Sequence, residues 1–165
     1  MNRRLILRSI LCVLADVEKE AGISCSVLST GRTVESIHNY VDFADMILRK
    51  GAVSLSTERL SIISLNMRDG LWLCKARSED DGAEWNHSGP HGLGRQFGRA
   101  EAASRLNLAD FQAEMEGVYS TSVVQQTLDE SPMAYKPCCM IQAAVADRVE
   151  IMHHLRPILN IKALS

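Results

Sequence analysis

One histidine, His91, stands in the glycine-rich stretch GPHGLGRQFGRAEAASRL at residues 89–106, just ahead of a helix-like segment. An imidazole nitrogen attacks a phosphorus centre effectively when nearby amides and a cation neutralise the phosphate. Gly92 and Gly94 suit such a loop, because a residue without a Cβ lets the backbone come close to a ligand. Amides exposed before a helix start also favour an anion. The G-x-x-G-x-G spacing is a weak signal, and read alone these residues favour an ordinary turn and helix cap.

Other side chains with chemical potential are scattered. His38 and Asn39, in IHNYV, offer a metal ligand beside an amide. Considered alone, a histidine in a half-apolar segment reads as a satisfied structural residue. His153 and His154 fall late in a helix-like segment, where imidazolium suits the helix dipole, and His87 belongs to a polar loop. Tyr135 and Lys136 lie between Pro132 and Pro137 in a rigid turn that could present an aromatic ring to a base. Lys162, near the last residue, reads on its own as a solvated charge. The chain has no Walker A motif, dinucleotide fingerprint, H-E-x-x-H, paired-cysteine zinc pattern or nucleophile elbow.

The elements that must position these residues follow from periodicity. Leu5, Ile6, Ser9, Ile10, Val13, Leu14 and Val17 mark a helix over about 3–20, ended by Gly22. ISCSVLST reads as a strand, and TVESIHNYVDF is ambiguous. ADMILRKGAVSLS reads as a strand, a turn at Gly51 and a second strand. LSIISL and LWLCKA are β-rich runs joined by the turn NMRDG. Residues 78–98 form the longest loop-like segment. Two helices follow at about 99–106 and 108–117, with Asn107 as N-cap of the second and Asp110 in its first turn. STSVVQQTL reads as a strand, residues 138–155 as a helix, and RPILNIKALS as a closing strand. Strands and helices without regular βαβ alternation indicate α+β, a mixed sheet with flanking helices.

Composition narrows the class. At 165 residues the chain has the size of one domain, and 46% hydrophobic with 23% charged residues is typical of a globular protein. A net charge of −2 gives no overall electrostatic case for nucleic acid or membrane, although Arg95, Arg99 and Arg105 form a local basic cluster. Five cysteines, an odd number without C-x-x-C spacing, point to reduced thiols and a cytoplasmic location. The N-terminal segment is interrupted by Arg8 and Ser9 and followed by Asp16 and Glu18, which favours an amphipathic helix over a signal peptide. No apolar run is long enough to span a membrane.

Five of these segments, taken in order, resemble the RtcB family of tRNA-splicing RNA ligases in its C-terminal half. IHNYV is similar to the family's His-Asn metal-site segment, and RKGAVS to its Arg-Lys-Gly-Ala turn. HGLGRQFGRAEA is similar to the signature His-Gly-Ala-Gly-Arg, DESPMAYKP to Glu-x-Pro-x-Ala-Tyr-Lys, and LRPILNIKA to the Arg-Pro, strand and Lys-Gly end. The resemblance implies that residues 1–165 form an RtcB-like C-terminal portion.

It also implies a chemistry. His91 attacks the α-phosphate of GTP and carries the guanylate as a phosphoramidate. The guanylate passes to an RNA 3′-phosphate or 2′,3′-cyclic phosphate end, and a 5′-hydroxyl end then displaces GMP, in tRNA splicing or RNA repair. His38 ligates a Mn2+ ion, Gly92 and Gly94 bring the backbone to the nucleotide, and Tyr135 and Lys162 contact guanine. Asn39 and Arg95 contact phosphate. The family's remaining metal ligands lie in an N-terminal half without counterpart in these residues, so the expected partners include that half, supplied separately, or a second copy. The family's Pro-Gly-Ser-Met-Gly loop corresponds to SLNMRDG, Ser64 to Gly70, with Arg68 offering a charge in its place. The other open reading is a non-catalytic remnant, or a module that binds nucleotide or RNA.

Overall fold

The computed structural model describes residues 2–23, 33–44, 46–79 and 82–162, and the chain forms two compact units, Met1–Thr33 and Val34–Ser165. The first unit holds helix α1 (Asn2–Ala21), whose Leu5, Ile6, Ile10, Val13, Leu14 and Val17 are exposed. Gly22, at φ +65°, closes it: the amide of Ile23 donates to the Glu18 carbonyl and that of Gly22 to the Lys19 carbonyl. These are the paired bonds of a Schellman ending, which a residue at positive φ makes possible. The expected ISCSVLST strand lies almost entirely outside the described residues. Among the described residues no helix is long and apolar enough to cross a membrane.

The second unit is α+β, and its described residues place their strands in three small antiparallel sheets. Strands β1 (Asn39–Asp42) and β2 (Ile47–Lys50) pair as a ribbon. Gly51, at φ +65°, redirects the chain into β3 (Ala52–Ser54), which pairs instead with β6 (Ser88–Pro90). Strands β4 (Ser61–Ser64) and β5 (Leu71–Ala76) make the expected hairpin across NMRDG, and β7 (Val149–Leu155) adds to the other side of β5. Alternation along β5 buries Trp72, Cys74 and Ala76 against Val53, Leu55, Ile63, Leu65, Leu93 and Val149. Helices α2 (Arg99–Arg105) and α3 (Leu108–Glu114) follow, with the Asn107 side chain accepting from the Asp110 amide at 2.9 Å as its composition suggests. Phe111 and Met115 close a second cluster with Met67 and Leu128.

Four expected elements change. The 78–98 loop contains a 3-10 turn (Gly82–Trp85) and β6, where a Cβ on Gly89 would sit 2.6 Å from Leu55 Cδ1 and force that buried side chain to shift. STSVVQQTL is not a strand but leads into a 3-10 helix (Gln125–Glu130). Local bonds win there: the Thr127 hydroxyl donates to the Val124 carbonyl at 3.0 Å, and Ser122 is tied to Lys162. The single helix over 138–155 is instead α4 (Cys138–Val145) followed by β7, so His153 and His154 lie on a strand. Val149 and Ile151 gain more by packing on β5 than by extending an exposed helix. Among its described residues the closing strand is reduced to one bridge, between Tyr119 and Leu159, with Pro157 denying a ladder donor.

Candidate functional site

His91 follows β6 directly, and the loop that carries it is pinned rather than loose. Leu93 is 2% exposed in the main core. The Ser64 amide donates to the His91 carbonyl at 3.0 Å, and the Leu93 amide returns a bond to the Ser64 carbonyl. Gly92 lies against that carbonyl so tightly that a Cβ would approach its oxygen to 2.7 Å. Gly94, at φ +69°, then turns the chain, and its carbonyl accepts from the Lys136 amide. The histidine thus projects from a loop held by core packing and backbone pairing, as a reacting group must be.

The imidazole itself is oriented from two sides. His91 Nδ1 is 2.6 Å from the Gly51 carbonyl oxygen, and its ring stacks on His38 with centroids 4.9 Å apart and planes 12° from parallel. A carbonyl only accepts, so this bond requires the hydrogen on Nδ1 and leaves the lone pair on Nε2. The ribbon brings up the other histidine. Buried Arg49 fastens it, donating to Ser88 Oγ and the Asn86 carbonyl at 3.1 Å each and pairing with Asp42. Asn39, next to His38, accepts the Gly51 amide on its Oδ1 at 2.8 Å.

Arg95, Tyr135 and Lys162 gather around a different group, the Glu130 carboxylate. Glu130 accepts from the Tyr135 hydroxyl and the Lys162 ammonium at 2.8 Å each, and from Arg99 at 2.6 Å, with Arg95 at 3.5 Å. The Arg95 guanidinium also lies over the Tyr135 ring, 5.1 Å from its centroid. Burial alone would raise the Glu130 pKa, but the bonds from Lys162, Tyr135 and Arg99 outweigh it and hold the carboxyl down to about 2. Burial and the neighbouring carboxylate push the Tyr135 phenol up to about 12. Glu130 and Arg99 escape a reading of single residues. The one sequence signal for them is the acid pair of DESPMAYKP beside the basic cluster.

The candidate residues therefore form two groups, His38, Asn39 and His91 around Gly51, and Arg95, Tyr135 and Lys162 around Glu130, joined by the loop through Gly92 and Gly94. Tyr135 also lines a cavity of about 320 Å³ with Asn66, Arg68, Gln96, Lys136 and Cys138. Arg68 does not bring a spare charge to it, since it is paired with Asp69 and Glu114. His154 is occupied structurally, with Nε2 2.7 Å from the Asp69 carbonyl.

Among the described residues no three His, Cys, Asp or Glu side chains form a group able to hold a metal ion. His38 supplies one nitrogen, and a divalent ion such as Mn2+ needs several nitrogen or oxygen donors. The residues described here do not fit that ion by themselves.

Known proteins match this chain over nearly its whole length. The chain is 26% identical over 168 residues to "RNA-splicing ligase RtcB" of Escherichia coli K12, which covers 98% of this chain and 40% of that relative. It matches "RNA-splicing ligase RtcB1" of a second E. coli strain to the same extent. The chain thus spans 40% of the length of the curated relatives it matches. The family model described as tRNA-splicing ligase RtcB matches residues 1–163, nearly the whole chain, and the protein belongs to the RtcB family.

Proposed function

We propose that this chain carries the guanylate-accepting portion of a GTP-dependent RNA ligase, with His91 as the nucleophile. The observation that carries the reading is the bond from His91 Nδ1 to the Gly51 carbonyl, which leaves Nε2 as the basic nitrogen. In this mechanism the Nε2 lone pair forms a bond to the α-phosphorus of GTP, the bond to the bridging oxygen breaks, and pyrophosphate leaves. An oxygen of an RNA 3′-phosphate then displaces the histidine and takes the guanylate. A 5′-hydroxyl oxygen finally bonds to the RNA phosphorus, and GMP leaves.

The chain's own residues have separate parts in this scheme. Gly92 and Gly94 keep the loop backbone bare beside His91. Tyr135 and Lys162, preset by Glu130, meet the base; one Lys162 proton is held by Glu130, and the others are available to a guanine carbonyl. Arg95 and the side-chain amide of Asn39 face phosphate. His38 is the residue offered to Mn2+, whose part would be to neutralise phosphate charge. The remaining donors have to come from outside the described residues, and no step is derived through the ion.

Incubation with [α-³²P]GTP and Mn2+ tests the reading. The chain alone is expected to take up little or no label. Adding the part of the E. coli K12 relative that lies outside the aligned stretch is expected to restore acid-labile label, absent in His91→Ala. Equal labelling of His91→Ala, or no label under either condition, refutes it. A second reading is a module that binds GTP or RNA without covalent transfer. The missing metal cluster among the described residues favours it. Its signature is GTP binding without label even when the complementary part is present.

A further inference from the structure

The bonds around Gly51 make one residue responsible for more than its own contacts. At φ +65°, Gly51 occupies a conformation open to few residues, and its carbonyl could swing if the turn were unrestrained. The segment His38–Asn39 clamps it on both sides. The Gly51 amide donates to Asn39 Oδ1 at 2.8 Å, and the Ala52 amide donates to the His38 carbonyl at 3.3 Å. The Ala52 bond fixes the peptide plane between Gly51 and Ala52, whose carbonyl oxygen lies 2.6 Å from His91 Nδ1. The Asn39 bond fixes the preceding plane between Lys50 and Gly51, so the two together set both backbone angles of Gly51. The same carbonyl receives the His91 backbone amide at 3.4 Å, so ring and backbone share one anchor.

We infer that Asn39 is a positioning residue for His91: by holding the Gly51 amide it sets the Gly51 φ angle and, together with the His38 carbonyl on the Ala52 amide, aims the Gly51 carbonyl that fixes the Nδ1–H tautomer and leaves the Nε2 lone pair facing outward. A histidine that reacts through Nε2 must have its hydrogen on Nδ1, and a ring as exposed as His91 has no buried surroundings to enforce that choice. The stacked His38 ring fixes the plane, but a ring face has no acceptor that would discriminate between the two nitrogens. The Gly51 carbonyl does discriminate. Asn39 Nδ2 stays available as a donor to an anion, so positioning and phosphate contact are compatible. The inference rests on His91 being the nucleophile, but tautomer state is measured without nucleotide and so can fail separately from guanylate transfer.

The test is a long-range ¹H–¹⁵N correlation spectrum of the ¹⁵N-labelled chain at a pH where imidazole is neutral. His91 is assigned among the five histidines by loss of its signals in His91→Gln. The wild-type chain is expected to show His91 as the Nδ1–H tautomer. In Asn39→Ala the ratio of Nδ1–H to Nε2–H should fall about five- to tenfold, the equivalent of one hydrogen bond. Asn39→Asp retains an acceptor for the Gly51 amide and should restore the ratio. Unchanged His153 and His154 signals report an intact fold in each variant. A wild-type His91 in the Nε2–H form overturns the inference, as does an Asn39→Ala spectrum with the wild-type ratio.

Discussion

Replacing Glu130 with Gln separates electrostatics from shape, because the two side chains are nearly isosteric. The carboxylate is 14% exposed and takes bonds from Tyr135, Lys162 and Arg99, with Arg95 close by. Its pKa drops from 4.5 to about 2 on folding. At about 1.36 kcal/mol per pH unit, that drop caps its contribution at about 3 kcal/mol. Arg99 is 68% exposed, so solvent screens part of the field and about 1–2 kcal/mol is the expected loss at neutral pH. The sign follows from the direction of the shift. A depressed carboxyl stabilises the fold above its unfolded value, and the contribution fades as pH falls from 4.5 toward 2. Urea denaturation followed by Trp72 and Trp85 fluorescence measures it. The gap between wild type and Glu130→Gln should shrink by more than half between about pH 6 and pH 3. A Gln variant as stable as wild type at neutral pH, or a gap that stays constant into acid, refutes the reasoning.

Three further outcomes are expected. Gly92→Ala forces a Cβ to 2.7 Å from the Ser64 carbonyl oxygen, and thermal melting should show a loss of about 1–3 kcal/mol. Arg49→Met removes the buried cation paired with Asp42 and should cost about 3 kcal/mol, with faster amide exchange over β1 and β2. Cys74, whose thiol burial pushes up to about 11, should resist a thiol reagent at mild alkaline pH, while exposed Cys12 and Cys139 react at once.

Motif spacing proved informative at a distance because the loops concerned are rigid. The glycines of HGLG meet real constraints, a carbonyl at Gly92 and a positive φ at Gly94, so their identity carried geometric content. Asn107 and Gly22 likewise act where their chemistry suggests, since caps depend on a few neighbouring residues. Periodicity failed where another interaction competed with it, tertiary in one case and local in the other. VEIMHHL reads as helix until β5 offers an open edge, and STSVVQQTL reads as strand until Thr127 binds its own backbone. The β5 edge has no local signature, and that of the Thr127 bond is a single hydroxyl three residues from its acceptor.

By itself, the sequence determined which residue types were on hand, the α+β class, and the ordered motifs that place the chain in its family. Those depend on short-range chemistry and on order along the chain. Only the tertiary structure decided that Asn39 and His91 meet through Gly51, that Glu130 collects Arg95, Tyr135 and Lys162, and that Arg68 is spent on its neighbours. The contacts of His91 with Gly51, Lys162 with Glu130 and Arg68 with Glu114 join residues tens of positions apart, and the partner that claims such a side chain is set by how the sheets pack rather than by spacing.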